Sequence, residues 1–125
     1  MTYEDWLDEF VRRAAWCLSA DRVRKNGHTV RTNDDARPLE AEEAEARDAL
    51  LSMNHRQREI VVSLLERERS AAFHDALALL EEQTANDDID IRISGKRIEG
   101  SPYASFHYDF VCRSDGDDWP DRKGD

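Results

Sequence analysis

Residues 88–100 read DIDIRISGKRIEG, and here the periodicity of the chain changes. Ile89, Ile91 and Ile93 alternate with Asp90, Arg92 and Ser94. Successive side chains of a strand point to opposite faces, so a period of two predicts a half-buried strand. Gly95 and Lys96 predict a turn, and Ile98 begins a short return. Downstream, SPYASFHYDFVCR (101–113) predicts a further strand. It would place Phe106, Tyr108, Phe110 and Cys112 on one face and His107, Asp109, Val111 and Arg113 on the other. Everything before residue 86 is helical or polar. Helices first and a small antiparallel sheet afterwards make the class α+β. The expected architecture is three or four helices packed on one face of a C-terminal antiparallel sheet of two or three strands.

The helical part starts at once. In TYEDWLDEFVRRAAWCLSA (2–20), Trp6, Phe10, Ala14 and Leu18 recur four apart, with Leu7, Val11 and Cys17 beside them. One face of a helix over about 3–20 explains this spacing. Trp16 adjoins that face and is expected in the core. Thr2 and Asp5 have the form of a capping box. The next stretch, 21–37, has little apolar content and predicts a long surface loop in preference to a hairpin about Asn26-Gly27. Pro38 suits the first position of a second helix, whose apolar face (Leu39, Ala46, Leu50, Met53) is thin. Asn54 with Gln57 starts another helix. Ile60, Val61, Leu64 and Leu65 form one apolar face, and Ala72, Phe73, Ala76, Leu77 and Leu80 form a second. The polar ERERS (66–70) between them favours two helices, with Ser70 capping the later one.

The 125 residues suit a single domain, taken as 1–121, followed by a short charged tail at 122–125. With 28 acidic and 18 basic residues the net charge is −10. Such a charge repels phosphates, which argues against non-specific binding to nucleic acid or to an anionic membrane. It suits a basic protein partner. MTYEDWLDEF carries acids where an export signal carries bases, and no apolar run reaches membrane-spanning length. The expected location is the cytoplasm, where Cys17 and Cys112 would be reduced thiols on core-facing positions.

Three stretches together resemble a known family. They are Gln57-Arg58, then Phe73, His74, Asp75 and Leu77, then Tyr108 to Arg113 with Gly116, Asp117, Trp119 and Pro120. This pattern resembles a family of small uncharacterised bacterial proteins with an aromatic-Asp-Phe-Val-Cys-Arg…Gly-Asp-x-Trp-Pro ending. The resemblance covers roughly residues 50–121 and implies a domain of unknown function, so it supplies no activity, cofactor or catalytic residue.

Familiar chemistries find little support. No nucleophile elbow, glycine-rich phosphate loop or H-E-x-x-H helix is present. A calcium loop starting at Asp115 would put Trp119 and Pro120 at positions five and six, where a ligand and a glycine are needed. A second start in NDDIDI (86–91) puts Ile91 at the glycine position. One metal reading survives as an alternative: a small metal-dependent hydrolase using His74, Asp75, His107 and Asp109. It needs His107 and Asp109 on the same face of a strand, beneath the helix that carries His74. Against it stands a bland reading of the same residues as an exposed polar face. The segment at 22–31, with Arg22, Arg24, Lys25 and Arg31, offers a third possibility, a nucleic-acid accessory role. A solvated loop neutralising the acidic second helix is the preferred reading.

The leading expectation is a non-catalytic, cofactor-free protein-binding domain of the immunity or inhibitor kind. Its candidate contacts are Asp115, Asp117, Asp118 and Trp119, with Glu42, Glu43 and Glu45 secondary. Trp119 sits among acids after the last expected strand. It either folds back as a clasp or stands out as an anchor for a partner.

Overall fold

A reciprocal cap starts the first helix, α1 (Tyr3–Ala15). The Asp5 amide donates to Thr2 Oγ1 at 3.2 Å, and the Thr2 amide donates to Asp5 Oδ2 at 2.9 Å. That second bond holds the Asp5 carboxyl below its ordinary range. The computed structural model describes residues 1–31 and 37–120. Part of the polar stretch, 32–36, and the charged tail expected at 122–125 lie outside the described residues. The chain forms two compact units, one of residues 1–15 with 70 onward, the other of residues 16–69.

In the first unit, α1 does not continue to residue 20. Cys17 is extended (φ −102, ψ 99), and a new helix, α2 (Leu18–Asn26), begins after it. Tyr3, Leu7 and Ala14 belong to one buried cluster, whereas Cys17, Ala20 and Val23 belong to another. The break lets the two runs serve different cores. It also leaves Trp16 61% exposed, contrary to its expected place in the core.

The main correction concerns 106–113. This stretch is a helix, α5 (Phe106–Ser114), not a strand. Ser105 caps it, its Oγ accepting the Tyr108 amide at 3.2 Å. Phe106 and Phe110 are four apart, a spacing that fits both periods. The arbiters are Asp109, which is buried, and Tyr108, which is 49% exposed. A strand facing the core with Phe106 and Phe110 would reverse those two.

The hairpin is real but short. Strand β1 (Arg92–Ile93) pairs antiparallel with β2 (Lys96–Arg97), with Ile93 opposite Lys96. Its turn is Ser94-Gly95, one residue earlier than expected, with φ of 52 and 81. Two successive left-handed residues are the type I′ geometry that suits the twist of a two-residue hairpin. Ile89, Ile91 and Ile93 are half-buried while Asp90, Arg92 and Ser94 are exposed, so the alternation holds beyond the paired residues. The protein is therefore α+β, with helices against a two-stranded antiparallel sheet. Five helices are present among the described residues. The core of this unit is Tyr3, Leu7, Ala14, Leu77, Phe106 and Phe110, with Phe10, Phe73, Ile91 and Ile98 packed around it.

In the second unit, α2 ends at Gly27, whose φ is 77 and whose amide donates to Val23 O at 2.9 Å. Asn26-Gly27 is thus a helix C-cap, and 21–26 is helical where a loop was expected. A side chain at position 27 would also come within 3.2 Å of Leu51. Helix α3 (Ala41–Leu51) is capped by Glu40 and Glu43, leaving Pro38 outside it. None of its residues is fully buried, consistent with its thin apolar face. Asn54 and Gln57 exchange amide-to-side-chain bonds of 2.9 Å at the head of α4 (His55–Ala85). This helix is continuous over 31 residues, so the two-helix expectation is overturned. Glu and Arg are strong helix formers and nothing in ERERS breaks the backbone ladder. Cys17, Ala20, Val23 and Val62 form the core here, with Leu50 and Leu65 packed against it. No helix among the described residues is long and apolar enough to cross a membrane.

Candidate functional site

Asp109 is completely buried. Its carboxylate accepts the Tyr3 hydroxyl at 2.6 Å, the Tyr103 amide at 3.0 Å and the Ala104 amide at 3.3 Å. Ser101 Oγ lies 3.3 Å from the same phenol oxygen. Burial pushes the Tyr3 phenol far above its ordinary value, and the neighbouring carboxylate adds to the shift. Three donors satisfy a charge that would otherwise be costly to bury. The arrangement ties the segment before α5 to both α1 and α5.

The position of Asp109 removes it from the expected metal cluster. Two residues along a helix are separated by about 200° around its axis, so His107 and Asp109 do not share a face. His107 does meet His74, their rings 5.3 Å apart and nearly perpendicular. His74 Nδ1 lies 3.3 Å from Asp75 Oδ1, and His107 Nε2 lies 3.5 Å from Ser105 Oγ. Two imidazoles therefore come together, Asp75 stays at their edge, and Asp109 is engaged elsewhere. Among the described residues, no three His, Cys, Asp or Glu side chains are grouped to hold a metal.

Trp119 folds back. Its ring stacks on Tyr103 at 5.9 Å and meets Tyr3 edge-on at 6.1 Å. The Arg113 guanidinium lies 5.1 Å from the indole centroid. The indole N–H donates to Asp8 Oδ2 at 3.1 Å. Asp8 also accepts both Arg113 Nε, at 2.8 Å, and Nη2, at 3.0 Å, a bidentate pair that raises the guanidinium's pKa further. Arg113 Nη1 then donates to Asp117 O at 2.7 Å, and the Tyr103 hydroxyl donates to Asp118 O. The carbonyls of 117 and 118 and the side chain of Trp119 are thus each tied inward. Asp115, Asp117 and Asp118 remain exposed, and none has an ion-pair partner among the described residues.

The other candidates lie in the second unit. Glu42 and Glu45 are exposed on α3, whereas Glu43 is half-buried and pairs with Arg31 at 3.3 Å. The expected basic loop is mostly helix: Arg22, Arg24 and Lys25 lie on α2. Arg24 is engaged by Asp21 and Glu66. Both cysteines are free and buried.

Sequence reasoning missed Tyr3, Asp8 and Tyr103. The Asp8–Arg113 pair spans 105 positions, so no local pattern announces it. The one available signal was Trp119 itself, whose N–H needs an acceptor once the ring packs.

One family model matches the chain, over residues 1–121. The protein belongs to DUF6547. That is a family of unknown function, in agreement with the resemblance read from residues 50–121. The DUF6547 match also takes in α1, which supplies Tyr3 and Asp8. No curated protein and no solved structure matches the chain.

Proposed function

We propose that the protein is a non-catalytic binding module that captures a basic protein partner on the loop at 115–118. The observation that carries this reading is the inward tethering of that loop. Asp117 O and Asp118 O are bound by Arg113 and Tyr103, and Trp119 by Asp8, while three unpaired carboxylates face solvent. A loop held in this way loses little entropy on binding, which favours affinity. The net charge of −10 adds long-range steering of a cationic partner. Trp119 is a clasp in this reading and not a contact. Glu42 and Glu45 contribute to the general negative field, and Glu43 is already engaged by Arg31.

The test is capture from native lysate by immobilised protein, with D115N/D117N/D118N beside it. These side chains are exposed, so the triple variant should keep its stability within about 1 kcal/mol. It should recover about tenfold less of the captured partner, and added salt should weaken the unsubstituted protein in the same direction. Recovery of no partner even at low salt defeats the reading. So does a triple variant that captures the same partner equally well.

A further inference from the structure

The chain has a large excess of acids, and most of its described arginines are paired with them. Nine are: Arg12 and Arg13 with Glu9, Arg24 with Asp21 and Glu66, Arg31 with Glu43, Arg37 with Glu40, Arg47 with Asp48, Arg92 and Arg97 with Asp90, and Arg113 with Asp8. Among the described residues six cations have no ion pair, Arg22, Lys25, Arg56, Arg58, Arg67 and Lys96, and Lys25 and Arg58 are two of them. Both line the same cleft, a space of about 250 Å³ within the second unit. Its walls are the last turn of α2 (Arg24, Lys25, Asn26), Gly27, and the first turns of α4 (His55, Arg58, Glu59). Val23 and Val62 form its apolar floor.

Gly27 shapes this cleft. A Cβ there would lie 3.4 Å from Arg58 Nη1 and 3.2 Å from Leu51. The bare backbone lets the guanidinium lie across the end of α2. The carboxyl end of α2 and the amino end of α4 both border the space, and their partial charges of about half a unit oppose each other. Side chains therefore set its sign. Arg24 also meets Asp21 and Glu66, which lie outside the lining. Among the lining side chains themselves, Arg24, Lys25 and Arg58 stand against Glu59.

We infer that this cleft binds a phosphate group, either free inorganic phosphate or the terminal group of a phosphomonoester. The chemistry is a planar guanidinium with several donors and a compact ammonium lining one cleft, two groups suited to a tetrahedral oxyanion. Polymeric nucleic acid is disfavoured because the overall charge of −10 repels a long polyanion, whereas one small anion can be held by local contacts. The inference concerns the second unit alone and does not depend on the acidic loop at 115–118.

The experiment follows backbone amide chemical shifts while sodium phosphate replaces sodium chloride at constant ionic strength. The amides of Gly27, His55 and Arg58 should move and saturate, with that of Lys96 in the hairpin as an internal control. R58Q and K25Q should each weaken the apparent affinity about tenfold. R67Q removes an exposed charge from α4 outside the cleft and should leave the affinity unchanged. Because two separate cleft variants are used, misfolding of one still leaves the other decisive. A short oligonucleotide is compared with and without a 5′-phosphate, and only the phosphorylated form should move the cleft amides. Shifts that never saturate, an R67Q effect as large as that of R58Q, or equal binding of both oligonucleotides would overturn the inference.

Discussion

Replacing Asp109 by alanine lowers the unfolding free energy by about 3–5 kcal/mol, measured by urea denaturation. The carboxylate has no exposure and satisfies three donors at once. Alanine leaves the Tyr3 hydroxyl and the Tyr103 and Ala104 amides without their acceptor, in a site water does not reach. The loss should exceed that from removing a hydrophobe of equal volume, because orphaned donors add their desolvation cost. Asparagine is the informative comparison. Its amide oxygen can still serve the two backbone groups, but its NH₂ group replaces the acceptor that faced the phenol. Its cost should be about half that of alanine. If D109A unfolds with the same free energy as the unsubstituted protein, the cage is not a structural tie.

The second large effect is Phe110→Ala, at about 3–5 kcal/mol. Phe110 is 2% exposed, among the most buried large side chains of the first unit. Removing its ring leaves a cavity lined by groups that α1 and α4 hold in place. Tyr108→Ala provides the contrast. On a strand, positions 108 and 110 would share a face and cost similar amounts. On α5 Tyr108 points outward, and its removal should cost about 1 kcal/mol or less. Equal losses at the two positions would contradict the helical assignment.

Local devices were legible in the sequence. Thr2 with Asp5 and Asn54 with Gln57 form the caps their spacing announces, because a cap needs only neighbours in the chain. The isoleucine alternation at 89–93 survives for the same reason, each residue's facing being set by its immediate backbone. The errors arose where one local signal serves two structures. Asn26-Gly27 marks a left-handed backbone, which hairpin turns and helix ends both use. Phe106 and Phe110 fit both periods, and Ser105, a good N-cap, was the clue that separated them. ERERS reads as a gap in hydrophobicity. It is instead the stretch where α4 passes from one buried cluster to the next. The clasp was beyond local reading. Asp8 receives Arg113 and Trp119 from the far end of the chain, and only tertiary packing brings them together.

The Tyr3 phenol sets an alkaline limit on this protein. In an unfolded chain a tyrosine loses its proton near pH 10. In the folded protein burial and the Asp109 carboxylate hold the proton well beyond that point. A folded pKa above the unfolded one means that the full stability is present below pH about 10 and is lost as the pH rises past it. Linkage gives a loss of about 1.4 kcal/mol per pH unit while the folded phenol stays protonated. Tyr103 and Tyr108 are shifted in the same direction, so the slope belongs to Tyr3 only by difference from Y3F. Denaturation midpoints of the two proteins, followed from pH 8 to pH 12, should diverge in slope above about pH 10. Parallel curves would mean that the phenol ionises in place. The bond that fastens the start of the chain to α5 is thus also a proton lock, secure at neutral pH and opened by base.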